Sequence, residues 1–284
     1  MKLYKTSKGN LLEHENGYYL LESDWDKLIN QQELYAYLAA QINHSKKPGE
    51  NDFTDALQNH LQAPIGTQEV WAAGVTYLRS RDARMEESKT SGGADLYDKV
   101  YAAERPELFF KALAYRVSAH NEEVYIRKDS SWNVPEPELT LFINSSGIIQ
   151  AYTIGNDMSS RSIEGENPLY LPQAKVYDKS AALGPCLYVP QQPISNETTI
   201  SIVIMRGAKE MFSDSILLNR MKRTLPELAS WLFRESSFAN GCFLMTGTGM
   251  VPANDFTLLP GDKVTITIEG IGTLSHIVAE RSSL

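Results

Sequence analysis

The stretch PEPELTLFINSSGIIQAYTIGND, residues 135–157, contains the strongest structural signal in this chain of 284 residues. Two apolar runs flank the small residues SSG at 145–147, and turn residues between two strand-like runs predict a β-hairpin. Similar short runs recur along the chain. They are VWAAGV (70–75), VYIR (124–127), TISIVIMRG (199–207), GCFLMTG (241–247) and DKVTITIEG (262–270). Many short strands separated by turns predict a rolled or sandwiched sheet rather than a parallel βαβ stack.

The register of this hairpin brings acidic side chains together. Residues two apart on a strand share a face, so Glu136 and Glu138 project the same way. With a four-residue loop at 145–148, Asn144 pairs with Ile149 and Glu136 lies opposite Asp157, on the same face. Three converging carboxylates would raise one another's pKa values unless a cation lies among them. Oxygen ligands without a nearby His or Cys favour Mg²⁺ over Zn²⁺. An exposed strand face with solvated acids is the alternative.

The bulk composition bounds the class of protein. The chain is 42% hydrophobic and 22% charged, which is typical of a globular protein with a sizeable core. A net charge of −8 and a pI of about 5.2 argue against nucleic acids and anionic membrane surfaces as partners. No apolar stretch approaches the roughly 20 residues of a membrane helix, and no signal-peptide block opens the chain. We therefore expect a cytoplasmic protein acting on a small molecule, with Cys186 and Cys242 as buried thiols.

The chain divides into two predicted parts, a small N-terminal α/β domain (1–65) and a main domain (66–284). Apolar residues at helical spacing between Leu28 and Ile42 predict one helix in the first part. The main domain is predicted to be β-rich, with few helices. The predicted strands of the N-terminal part are at 2–4 and 17–21. The helices predicted along the chain are at about 24–42, 76–88 and 226–235.

Co-linear segments from residue 70 to residue 278 resemble the fumarylacetoacetate hydrolase superfamily. They are FK (110–111), EPEL (136–139), GNDMSSR (155–161), TGT (246–248), and PGD (260–262) with GIGTL (270–274). The resemblance implies an α+β, β-rich fold with a mixed β-sandwich roll as its catalytic domain. In that family the two Glu and the Asp bind Mg²⁺, sometimes Mn²⁺ or Ca²⁺. It therefore implies a metal site at Glu136, Glu138 and Asp157. We interpret Asn156 and Arg161 as holding the metal loop in place rather than touching substrate.

One motif of the family's C–C bond hydrolases is absent. Those members typically carry N-Y-x-x-H-x-x-E after the first strand, and its His activates a water. The aligned stretch here is GVTYLRSRDA (74–83), with Ser80 in place of the His and Ala83 in place of the Glu. Neither side chain accepts a proton from water at neutral pH. The histidines at 14, 44, 60, 120 and 276 offer no obvious replacement.

Three segments are similar instead to the family's 2-keto-3-deoxy-D-arabinonate dehydratases. They are WAAGVTY (71–77), RPELF (105–109) and RSIEGENPLYLPQAK (161–175). Those enzymes remove water from a 2-keto-3-deoxypentonate to give 2,5-dioxopentanoate, in pentose and sugar-acid catabolism. The resemblance also implies a homodimer or homotetramer. Two alternatives stay open. One is a hydrolase or decarboxylase of the same fold acting on acylpyruvates, 2,4-diketo acids or oxaloacetate. The other is a non-catalytic member that binds sugar acids or serves as a structural subunit.

The residues are consistent with dehydration. Three carboxylate ligands leave about three octahedral positions of Mg²⁺ for water or substrate. A 2-oxo acid can fill two of them with a carboxylate oxygen and its carbonyl oxygen, which makes the C3 protons more acidic. A base then removes one of these protons, and the C4 hydroxyl leaves with help from an acid.

Lys175 and Glu107 are the predicted proton-transfer pair. A lysine near Mg²⁺, and buried, is driven toward its neutral form, and Glu107 opens a strand that could run beside the metal. The alternatives are a solvated Lys175 and a Glu107 in a structural ion pair. Which of the two is the base stays open. The predicted substrate contacts are Thr246 and Thr248, for the carboxylate, with Arg79, Ser88 and Lys111.

Overall fold

The computed structural model describes residues 1–15, 17–80, 85 and 99–282. Their strands are β1 (Lys2–Thr6), β2 (Gly9–His14), β3 (Gly17–Leu21), β4 (Glu69–Gly74), β5 (Glu107–Leu113), β6 (Val117–Ser118), β7 (Glu123–Ile126), β8 (Asn133–Val134), β9 (Pro137–Ile143), β10 (Ile149–Asp157), β11 (Ser159–Ser160), β12 (Ala181–Tyr188), β13 (Thr199–Arg206), β14 (Lys209–Leu217), β15 (Cys242–Met245), β16 (Lys263–Ile268) and β17 (Gly272–Glu280). Their helices are α1 (Trp25–Ile29), α2 (Leu34–Ile42), α3 (Glu50–Asn59), α4 (Arg161–Glu166), α5 (Leu171–Lys175) and α6 (Leu225–Leu232). Every strand predicted from the sequence is present within these residues.

The large sheet curls on itself. Within the described part of the chain it has ten strands, in the order β3-β2-β1-β12-β10-β9-β15-β4-β5, with β6 beside β12. A short 3₁₀ turn, Ala114–Arg116, leads from β5 into β6, and β6 pairs in parallel with β12. The two ends of the run from β12 to β5 are therefore joined, and the sheet forms a roll. The predicted β-rich α+β roll is confirmed.

Two apolar cores lie on the two faces of this roll. The inner core contains side chains such as Val70, Phe142 and Leu183, together with Trp25 and Leu34 of the N-terminal helices. The outer core lies between the roll and a second sheet, ordered β14-β13-β16-β17-β7. In β9, Leu141 and Ile143 face the outer core and Phe142 faces the inner core, as the two-residue period of a strand requires. Cys186 and Cys242 are buried free thiols, as predicted.

The N-terminal segment continues the large sheet, because β1 pairs with β12 at Lys2↔Tyr188. The predicted boundary at 65/66 stays a prediction. The single helix predicted at 24–42 is wrong: α1 ends at Ile29 and α2 begins at Leu34. Side chains from elsewhere hold the break, since the Leu34 N–H donates to the Gln150 side chain at 2.8 Å. These contacts outweigh the continuous helical spacing of the apolar residues.

The helices α3, α4 and α5 were not predicted from the sequence. The helix predicted at 226–235 is α6, which begins after a capping box formed by Thr224 and Glu227 and ends at Leu232. Most of the helix predicted at 76–88 lies outside the described residues. Within the described ranges, each helix is too short or too polar to traverse a lipid bilayer.

His276, on β17, is expected to make folding stability depend on pH. Burial, and to a smaller extent the neighbouring His120, lower the pKa of the His276 imidazole from 6.5 to about 3. The unfolded chain binds this proton near pH 6.5, whereas the folded protein binds it only near pH 3. The stability that depends on a neutral His276 is therefore fully present above pH 6.5, and it is lost as the pH falls toward 3. From this group alone we expect the free energy of unfolding to be about 2 kcal/mol lower at pH 5 than at pH 7.5.

Urea unfolding of the wild type and of His276→Gln at both pH values measures this contribution. The substitution should remove about 2 kcal/mol of the pH-dependent loss. His44→Gln, which changes an exposed histidine, is the matched control and should leave the loss unchanged. A His276→Gln protein that lost as much stability as the wild type would show that this imidazole is not responsible.

Candidate metal centre

The hairpin of β9 and β10 sets the positions of the carboxylates. Ile149 pairs with Ile143, so the predicted pairing of Ile149 with Asn144 is wrong by one residue. A β-bulge directly after Ile149 adds one residue to β10 and restores the predicted register for the rest of the hairpin. Asp157 consequently lies beside Glu136, and its N–H donates to the Glu136 carbonyl oxygen at 3.0 Å. The convergence predicted from the sequence is present.

Glu136, Glu138 and Asp157 form a buried triad at the inner face of the roll. One carboxylate oxygen from each lies within 4.8 Å of the others, and the residues are 5%, 1% and 1% exposed. The alternative of a solvated strand face is therefore wrong. The Gly247 N–H donates to Glu138 Oε2 at 2.5 Å. Burial and the charges of Asp157 and Glu136 raise the pKa of Glu138 well above its ordinary value.

These features fit a hard divalent cation. Three buried acids that repel one another are stabilised when a cation lies between them. The donor atoms are all oxygens, which Mg²⁺, Mn²⁺ and Ca²⁺ prefer over softer ligands. None of the five histidines, all of which the structure describes, belongs to the cluster.

Lys175, the last residue of α5, reaches into the triad. Its Nζ lies 2.7 Å from Glu136 Oε2 and 2.9 Å from Asp157 Oδ2. It also lies 2.5 Å from the Ser159 hydroxyl oxygen. Lys175 is 0% exposed, so the alternative of a solvated surface lysine is wrong. The sequence reasoning missed Ser159, although its position two residues after Asp157 on an extended segment was a usable signal.

A second lysine and an arginine also pair with the carboxylates of Asp157 and Glu136. Lys111 Nζ lies 2.5 Å from Asp157 Oδ1 and donates to the Lys175 carbonyl oxygen at 2.5 Å. Burial lowers the pKa of Lys111, although the charge of Asp157 opposes the shift. Arg161 donates to Glu136 Oε1 at 2.6 Å and is 2% exposed. The expected part of Arg161 in holding the metal loop agrees with this contact.

Glu107 opens β5 and faces the interior of the roll. It pairs with Gly74 on β4, and a Cβ at Gly74 would lie 2.1 Å from Glu107 Oε2. Glycine at 74 thus leaves room for the carboxylate. Phe109, two residues further along β5 and on the same face, packs on the inner core, and Lys175 Nζ lies 5.6 Å from its ring centroid. Glu107 therefore projects from the same inner face as the residues around Lys175.

Among the predicted substrate contacts, the two threonines lie in the buried loop next to Glu138, whereas Arg79 does not share their burial. The Thr246 hydroxyl donates to the Leu139 carbonyl oxygen at 2.8 Å, and the Thr248 hydroxyl accepts from the Met250 N–H at 3.2 Å. Both threonines are buried, and they flank the glycine that binds Glu138. Arg79 is exposed, and Ser88 lies outside the described residues.

The hydrolase water-activating pair has no counterpart in the described ranges. Ser80 is buried, and its hydroxyl donates to the Tyr77 carbonyl oxygen at 2.7 Å, so it caps the local turn. Ala83 lies outside the described residues.

A rolled β-sheet with an oxygen-only carboxylate triad and a buried lysine at its inner face defines a class of metal-dependent enzyme folds. A sequence model described as "Fumarylacetoacetate (FAA) hydrolase C-terminal" matches residues 94–279. The chain therefore belongs to the fumarylacetoacetate hydrolase family.

Within this family, the chain is similar to curated relatives and to a solved structure that are named as dehydratases. The chain is 44% identical over 242 residues, 85% of this chain and 81% of the relative, to the probable 2-keto-3-deoxyxylonate dehydratase of Haloferax volcanii. It is 41% identical over 228 residues, 79% of this chain and 76% of the relative, to the 2-dehydro-3-deoxy-D-arabinonate dehydratase of Saccharolobus solfataricus. A solved structure of 2-keto-3-deoxy-D-arabinonate dehydratase complexed with magnesium and 2,5-dioxopentanoate has a TM-score of 0.85 and 33% identity, covering 100% of both chains.

Proposed function

We propose that this protein is a Mg²⁺-dependent dehydratase that converts 2-keto-3-deoxy-D-arabinonate to 2,5-dioxopentanoate in pentose and sugar-acid catabolism. The observation that carries the proposal is the buried carboxylate triad bridged by Lys175, without a hydrolase histidine at position 80. The two curated relatives named as dehydratases and the magnesium-bound solved structure support the same reaction.

Glu136, Glu138 and Asp157 would hold the metal, with Mn²⁺ or Ca²⁺ as substitutes for Mg²⁺. Bound there, the ion supplies Lewis-acid polarisation of the substrate's 2-oxo group. Lys111 and Arg161 keep the carboxylates Asp157 and Glu136 in position, because their buried cationic groups lie 2.5 and 2.6 Å from them.

Lys175 and Glu107 are the proposed proton-transfer pair. One of them removes a proton from C3, and the other delivers a proton to the departing C4 hydroxyl, so that one water is lost. The resulting alkene isomerises through a C4=C5 enol to the C5 aldehyde. Lys175 is held within 3 Å of two triad carboxylates, and Glu107 projects from the inner face of the roll. The assignment of base and acid is open between them.

The remaining contacts complete the proposal. Thr246 and Thr248 are proposed to bind the substrate carboxylate, because they flank the glycine amide that reaches Glu138. The other proposed substrate contacts are Arg79 and Ser88. Lys111 was also predicted as one, but its ammonium group contacts Asp157 and the carbonyl oxygens of Met158 and Lys175, so we propose that it holds the triad instead. We further propose a cytoplasmic homodimer or homotetramer with residues 1–65 as a small N-terminal domain, and light scattering after gel filtration measures the number of subunits.

The direct test is a purified-protein assay on 2-keto-3-deoxy-D-arabinonate, with Mg²⁺ and with EDTA, that follows 2,5-dioxopentanoate and pyruvate separately. We expect metal-dependent formation of the dioxo acid at one equivalent per substrate and no pyruvate. Pyruvate release, or turnover of acylpyruvates or oxaloacetate without any dioxo acid, would instead favour a C–C hydrolase or decarboxylase of the same fold.

A further inference from the structure

Tyr77 is a large buried side chain without a part in the proposed proton transfer or metal binding. It is 1% exposed, yet it belongs to neither the inner nor the outer core. Its hydroxyl has no hydrogen-bond partner in the part of the chain that the structure describes. A buried hydroxyl without a partner costs folding free energy, and such groups are rare in folded proteins.

The ring of Tyr77 packs against the loop at 246–250, which also contacts the triad. It packs on Gly249, where a Cβ would lie 2.7 Å from Tyr77 Cδ1. Gly249 is in the loop at 246–250, and Gly247 of the same loop donates to Glu138. Burial, and to a smaller extent the charge of Glu138, raises the pKa of the Tyr77 phenol above its ordinary value. The hydroxyl is therefore protonated at neutral pH and is available as a donor.

The backbone just before Tyr77 is in a strained conformation. Val75 has a φ of +54°, a left-handed conformation that a β-branched residue rarely adopts. Thr76 holds the turn to the neighbouring loop, because its hydroxyl donates to the Thr246 carbonyl oxygen at 2.7 Å. A strained turn that delivers a buried, unsatisfied donor to a catalytic region is typical of functional sites rather than of packing.

We propose that the Tyr77 hydroxyl is a substrate-binding group that donates a hydrogen bond to a hydroxyl oxygen of the sugar acid, at C4 or C5. The inference rests on the proposed dehydratase function. The carboxylate and 2-oxo oxygens are the anionic, metal-chelating end of such a substrate, whereas a neutral phenol matches its neutral hydroxyls. A site that hydrogen-bonds a substrate hydroxyl discriminates against an analogue without it, because the site's own polar group is then left unpaired.

Tyr77→Phe removes only the phenolic oxygen and tests this proposal. We expect kcat/KM for 2-keto-3-deoxy-D-arabinonate to fall about tenfold, the effect of one neutral hydrogen bond. The thermal unfolding midpoint of the metal-loaded protein should be unchanged or higher, since the lost hydroxyl had no partner in the protein. Inhibition by 2-oxopentanoate, which has the same carbon chain without the hydroxyls, should keep the same inhibition constant.

Tyr152→Phe is the matched control. Tyr152 is a buried tyrosine of the outer core whose hydroxyl accepts from the Ile194 N–H at 3.4 Å. Its substitution should leave kcat/KM unchanged and lower the unfolding midpoint.

Two results for Tyr77→Phe would overturn the inference: an unchanged kcat/KM, or an equal weakening of the sugar acid and of 2-oxopentanoate. A wild type that binds the sugar acid in calorimetry but forms no dioxo acid would overturn the proposed function instead. The contribution of Tyr77 to that binding would still be measured by the same comparison.

Discussion

Asp157→Asn is expected to lower kcat/KM for the dehydration about a thousandfold or more, which corresponds to about 4 kcal/mol of lost transition-state stabilisation. Asp157 pairs with two buried ammonium groups, because its two carboxylate oxygens lie 2.5 Å from Lys111 and 2.9 Å from Lys175. The amide removes a charge that would both hold the metal and balance two buried ammonium groups. Glu138→Gln should have a similar effect, since Glu138 loses its charge at the centre of the triad.

Activity, Mg²⁺ titration calorimetry and circular dichroism measure this prediction together. Both variants should keep the wild-type spectrum, because Asn and Gln preserve side-chain volume and can still accept hydrogen bonds. Mg²⁺ binding should be weakened in parallel with turnover. Asp129→Asn changes an exposed carboxylate that pairs with Arg127, and as the control it should leave turnover unchanged. Near-full turnover in both triad variants would show that the metal is not held by these carboxylates.

Lys175→Met is expected to reduce kcat by about 10²- to 10⁴-fold, the range that general acid–base catalysis contributes. In contrast to Asp157→Asn, its Mg²⁺ affinity should be unchanged or higher, because a buried positive charge is removed from beside Glu136 and Asp157. Without metal the variant should be less stable by about 3–5 kcal/mol, since the buried carboxylates lose their cationic partner. Added Mg²⁺ should restore a large part of this stability.

Thermal unfolding with EDTA and with Mg²⁺, alongside single-turnover kinetics, distinguishes these effects. Lys128→Met, which changes an exposed lysine without an ion pair in the described part of the chain, is the control and should behave as wild type. If Lys175→Met retained kcat, the residue would only balance charge. If it lost kcat and Mg²⁺ binding together, its part in proton transfer could not be separated from a part in the metal site, and the prediction would be wrong.

The centre of the site was predictable because it is local. Glu136 and Glu138 are two residues apart on one strand, and Asp157 lies opposite on the next, so period and register are enough to bring them together. The loop was misjudged by one residue, and a bulge after Ile149 cancelled the error. A one-residue slip without the bulge would have turned Asp157 to the opposite face of the sheet.

Other features had no local signal. The break between α1 and α2 is held by Gln150, which is 116 residues away from Leu34 in sequence. The Gly247 amide reaches Glu138 across 109 residues. The burial of Tyr77 outside both cores also could not be foreseen, because a tyrosine after a buried strand is compatible with either packing or exposure.

From the order of its amino acids, this chain could be recognised as a β-rich roll with an oxygen-ligand metal site, because strand period and hairpin pairing act between near neighbours. The surroundings of that site depend on the closure of the roll. Lys111 comes from β5 and Lys175 from α5, 64 residues later, and both meet Asp157 because the sheet curls until its two ends join through β6. In the closed interior, each buried carboxylate needs a paired ammonium group, because an unpaired buried charge is strongly destabilising. Which groups are paired therefore depends on the whole fold.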